Sequence, residues 1–122
     1  MLIASVSLLT VGCYTDTSVP TEAGSSELHA RLNAAKVMTK NADRDETLSI
    51  VAREAAKAGD VDVAKGALSV MTLGSAKDET AAACAVQFSS VGRSAAANEV
   101  AGMIRSAPDR DVTLKKLATR VY

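Results

Sequence analysis

The chain has 122 residues, 14 basic and 14 acidic side chains, and a hydrophobic fraction of 48 %, yet aromatic residues are only 2 % of it. That is the length of one domain, and its core has to be built from small side chains, chiefly alanine. Zero net charge without a basic block or an aromatic stacking platform lacks the footprint of a nucleic-acid binder, so no nucleic-acid partner is expected.

The chain opens on "MLIASVSLLTVG", an uncharged apolar run. It is too short to span a membrane, which takes about 20 residues, and suits the apolar region of an export signal. The run ends at Gly12-Cys13. This junction resembles the lipobox of bacterial lipoproteins, where a small residue precedes a Cys that is lipidated and becomes the new N-terminus. The family usually has Leu three positions before the Cys, where this chain has Thr10. The resemblance implies a lipoprotein signal peptide over 1–12, lipidation at Cys13 and attachment to a membrane through the acyl chains. Tyr14, rather than Asp, follows the Cys; by the same resemblance this implies the outer membrane, with the domain facing the periplasm. A plain cleaved signal and an N-terminal helix containing a Cys are the alternative readings. Residues 13–25 are rich in Ser, Thr, Pro and Gly and read as a flexible tether. With Cys13 lipidated, Cys84 has no disulfide partner.

The remainder, 26–122, is periodic. "RDET" at 44–47, "KDET" at 77–80 and "RDVT" at 110–113 recur at a fixed step of 33 residues. Asp45, Asp78 and Asp111 read as helix N-caps. Behind each runs a helical stripe in one register: Leu48, Val51, Ala52, Ala55; Ala81, Cys84, Ala85, Phe88; Leu114, Leu117, Ala118, Val121. Gly59 and Gly92 end the first two of these helices. A second helix type follows each glycine, with stripes Ala64, Ala67, Leu68, Met71 and Ala97, Val100, Ala101, Ile104. One unit earlier stand Arg31, Ala34, Ala35 and Met38, where Arg31 suits a terminal helix with one solvated face. Pro108 is expected to stop the last helix of this type. The expected class is all-α, with helices at 26–40, 45–58, 61–73, 78–91, 94–106 and 111–122 in B-A-B-A-B-A order.

The unit resembles the tetratricopeptide repeat. Leu48, Val51-Ala52 and Ala55 match its first-helix positions, Ala64 and Leu68 its second, and "KAGDVDVAKGAL" (57–68) its inter-helix turn. The period is shorter by one residue and most of the family's aromatics are replaced by Ala, Leu or Val. The resemblance implies an αα superhelix of about two and a half to three helix pairs; another αα-hairpin array and a compact six-helix bundle are the alternatives.

Reactive groups do not converge in the sequence. His29 has no ligand partner at metal spacing, Cys84 lies within an apolar stripe, and no glycine pattern cradles a phosphate. No catalysis, cofactor, metal or small-molecule substrate is expected. The family resemblance implies instead a concave surface, lined by the first helix of each pair, that binds a protein partner's peptide or helix. Its candidate positions are Ser49, Arg53 and Lys57; Ala82, Val86 and Ser89; and Lys115 and Thr119. Arg53, Lys57 and Lys115 suit an acidic or C-terminal carboxylate group on the partner. The alternative reading is a structural subunit of a larger envelope complex, or a homo-oligomer, with no peptide groove.

Overall fold

A computed structural model describes residues 25–121. The signal-peptide, tether and Cys13 assignments fall on 1–24 apart from Ser25, and so lie outside the described residues. Among the described residues there are six helices and no strand. These are α1 (25–36), α2 (Asn41–Ala58), α3 (Val61–Val70), α4 (Gly74–Ser90), α5 (Ser94–Ala101) and α6 (Ala107–Thr119). Helix α2 packs on α3, α4 on α5, and α2, α4 and α6 stand side by side in chain order.

The 33-residue step recurs in the turns and helix starts of this architecture. Both sharp turns from one helix type to the next are built alike. Gly59 and Gly92 have φ of 77° and 83°, in the left-handed region where a Cβ is strained. Gly59 N–H donates to the Ala56 carbonyl and Asp60 N–H to Ala55, while one unit on Gly92 donates to Ser89 and Arg93 to Phe88. These paired bonds absorb the orphan carbonyls of the helix ends. Asp60 then caps α3 by accepting from Val63 N–H at 3.1 Å.

The repeated aspartates do something other than the expected capping of their own helices. The α2, α4 and α6 helices start four residues earlier, with N-caps at Lys40, Leu73 and Ser106. Asp45 therefore sits inside α2, 2 % exposed, and reaches across to the loop that leads into α4. It accepts from Thr72 N–H at 3.0 Å, Leu73 N–H at 2.7 Å and the Thr72 hydroxyl at 3.2 Å. Asp78 repeats this one unit later, accepting from Arg105 N–H at 2.8 Å and Ser106 N–H at 3.1 Å. In both, the separations are 27 and 28 residues. Each carboxylate thus supplies the N-cap amide of the next unit's first helix and faces the positive end of its dipole. The arginine just before Asp45 and Asp111 reaches back instead to the loop that leads into its own helix: Arg44 donates to the Met38 carbonyl and Arg110 to that of Ile104. Pro108 likewise stands in the first turn of α6 rather than stopping α5, which already ends at Ala101.

The core is mostly alanine, with Leu48, Leu68, Phe88, Ile104 and a few valines as its bulk. The stripes of α2 and α4 are buried as expected, and so are those of α3 and α5. At the two ends the pattern fails. Of Arg31, Ala34, Ala35 and Met38 only Ala35 is fully buried, and Leu28 and Leu32 anchor α1 instead. Leu32 packs onto Gly66 of α3, where a Cβ would come within 3.0 Å of its Cδ2. Arg31 turns onto Glu54 of α2 at 2.6 Å, and this bond holds the Glu54 carboxyl below its usual range. In α6 the expected stripe is largely open to solvent, and only Thr113 is buried.

Candidate functional site

The sequence placed a binding face on α2, α4 and α6, and the structure brings only part of it together. Arg53 and Lys57 project from α2 one turn apart, both exposed. They border a cleft of about 190 Å³ between α2 and α4, completed by Ala83, Cys84 and Gln87. Among the described residues neither cation is in an ion pair: the three there are Arg31–Glu54, Lys40–Asp43 and Lys65–Glu99, and Lys57 acts on the Glu54 carboxylate only through its charge. Arg53 Nε donates to Ser49 Oγ at 3.3 Å, which holds the guanidinium along the helix.

The remaining candidates are dispersed. Ser49 is half-buried, its hydroxyl 2.8 Å from that of the buried Thr80, so it ties α2 to α4. Ala82 and Val86 are half-buried on α4, with Ala82 packed against the core. Ser89 is buried and lines a different cleft, of about 450 Å³, between α5 and α6. Lys115 and Thr119 are exposed on α6, where the Thr119 hydroxyl donates to the Lys115 carbonyl. The residues that sequence reasoning missed are Ala83 and Gln87. Gln87 occupies the unit position held by Glu54 and Arg120 elsewhere, so a position that differs in charge between copies was the available signal.

Chain similarity adds no assignment. The chain matches no family model, no curated protein and no solved structure.

The chemistry of the cleft is that of a cationic rim over an inert floor. Burial pushes the Cys84 thiol up to about 12, with the Arg53 charge opposing that shift; a thiol held protonated is a poor nucleophile and a poor metal ligand. His29 is exposed, its Nδ1 donating to the Ser25 carbonyl at 2.9 Å. No cluster of three or more His, Cys, Asp or Glu with metal-binding geometry occurs among the described residues. No helix there is long and apolar enough to cross a membrane.

Proposed function

We propose that this chain is a non-catalytic adaptor that binds an acidic segment of a protein partner along the α2–α4 face of a short tetratricopeptide-like array. One observation carries the reading: Arg53 and Lys57 stand exposed and outside the ion pairs of the described residues, at the rim of an otherwise uncharged cleft. Two cations one helical turn apart, with the Gln87 amide opposite, offer charge-assisted bonds to a carboxylate and a neutral bond to a backbone group beside it. The regular 33-residue register supports the array reading, because stacked identical turns give a surface that varies only in its outward side chains. The lipobox-like "TVGC" supports tethering of the array to the envelope through Cys13, with the partner met in the periplasm.

Affinity capture from the native envelope with the wild type and with Arg53→Glu/Lys57→Glu tests the site. Both side chains are exposed, so circular dichroism and melting temperature should be unchanged while the acidic partner is lost at least tenfold. Equal capture by the two proteins sinks the assignment. Mass spectrometry of the mature N-terminus tests the tether: a diacylated or triacylated Cys13 is expected, and an unmodified Met1 excludes it.

A further inference from the structure

The two ends of the array are complementary to each other. Inside the chain every first-type helix is followed by a second-type helix that packs on it: α3 on α2, and α5 on α4. Among the described residues α6 has no such follower. Its stripe shows what is missing: Leu114 and Val121 are 38 % and 69 % exposed, whereas Leu48, Ala55, Ala81 and Phe88 at the same unit positions are 0 % exposed. The cleft of about 450 Å³ lies there, lined among others by Ala97, Asn98, Leu114, Leu117 and Ala118. One unit earlier the matching residues Ala64, Ala81, Cys84 and Ala85 are fully buried, and Lys65 is held by Glu99 of α5 at 2.8 Å.

The other end offers the missing part. Helix α1 is a second-type helix whose outer positions Ala30 and Ala34 are exposed, while their counterparts Val63 and Ala67 are 0 % exposed. The loop that follows it, "VMT" at 37–39, has the sequence of "VMT" at 70–72. The amides of Thr72 and Leu73 are bound by Asp45, but those of Thr39 and Lys40 have no acceptor among the described residues. Asp111, the third member of the aspartate series, is exposed and has no donor among them. Acceptor and donors are thus left over at opposite ends of one periodic structure.

We infer that copies of this chain stack head to tail, with α1 of a second copy seated in the α5–α6 cleft and its Thr39 and Lys40 amides bound by Asp111. The register closes because the chain holds three aspartate units: a copy set three units on places Thr39 and Lys40 as far beyond Asp111 as Thr72 and Leu73 lie beyond Asp45. Side chains at the junction also agree. Where α3 meets α5 through Lys65–Glu99, and α1 meets α3 through Leu32 on Gly66, the stacked copy brings Asn33 to Asn98, opposing no like charges. Arg31, whose counterparts Ala64 and Ala97 are buried, is already held by Glu54. The contact is heterologous, so it continues from copy to copy rather than closing at a dimer. The match in register between the α1 end and the α5–α6 cleft is why a second copy is the occupant.

Sedimentation velocity on the full chain tests this with two end-blocked variants at exposed positions, Ala118→Arg at the α6 end and Ala34→Arg at the α1 end. The wild type should show a weight-average mass that rises past the dimer with concentration, and each variant alone should remain monomeric. An equimolar mixture of the two should give a 1:1 dimer and nothing larger, since it contains one open junction. Wild-type protein that stays monomeric up to about 1 mM, the weak limit of specific association, overturns the inference. So does association that survives Ala118→Arg, as aggregation through the N-terminal run would. A monomeric mixture, or blocking by only one of the two variants, excludes the head-to-tail geometry.

Discussion

Asp45 is the residue on which the register of the fold turns, and its two later copies grade the effect. Its carboxylate serves three donors and is 2 % exposed; Asp78 serves two and is half-buried; Asp111 serves none among the described residues. Removing a carboxylate strands its donors, so Asp45→Ala should cost about 3 kcal/mol and Asp78→Ala about 1–2. Asp111→Ala should fall within about 0.5 kcal/mol of wild type in dilute solution. Urea unfolding of the three variants checks the order; equal costs would show that the series has no such graded role. The recurrence of these aspartates was plain in the sequence, but their partners were not. Periodicity shows which residues are equivalent, and it does not show that a side chain one turn inside a helix reaches an amide 27 residues later. Cys84 gives a second test at this scale. Its thiol is pushed up to about 12 in the fold, against roughly 8.5 in an unfolded chain. A raised acid favours the native state while the thiol is protonated, and that advantage is lost as pH climbs from the unfolded value toward 12. Stability should therefore drop by about 1.4 kcal/mol per pH unit in that window beyond the loss seen in Cys84→Ala. Parallel pH–stability curves for the two proteins would refute it.

At the scale of the element, glycine was the dependable sign and aspartate the misleading one. Gly59 and Gly92 end their helices as the sequence indicated, because positive φ is a local demand that only local residues can meet. Helix starts were misplaced by one turn because the N-caps of α2 and α4, Lys40 and Leu73, make no side-chain cap bond. For α4 the cap comes from Asp45, in another helix, and no local pattern announces it. The expected consequence concerns the turns. No atom lies within 4 Å of a Cβ added at Gly59 or Gly92, so Gly→Ala at either should cost only backbone strain, about 1–2 kcal/mol. Asn in the same places should cost less, since it tolerates the left-handed region better. Thermal melts of the four variants check this; an Ala variant as stable as wild type would mean that the turn takes up another conformation.

For the whole molecule, the interior units were legible and the ends were not. A stripe in register implies burial only if something covers it, and at α6 nothing described does: Thr113 is its single buried residue, where α4 has six. The candidate site was legible in the same partial way, since the exposure of Arg53 and Lys57 could be read from helical spacing while the cleft between α2 and α4 needed the packing itself. In a structure whose units touch chiefly their neighbours, local opening is easiest where a neighbour is missing. Amides of α6 should therefore exchange with solvent at least about tenfold faster than those of α4 in dilute protein, with α2 through α5 exchanging as a more protected block. Hydrogen exchange read by mass spectrometry on peptides spanning α4 and α6 measures this. Equal protection of the two helices at low concentration would show that α6 is covered within the single chain. If copies stack, protection of α6 and of the 37–40 loop should rise together with protein concentration, while α3 stays constant. Ala118→Arg should abolish that rise and leave the dilute pattern unchanged.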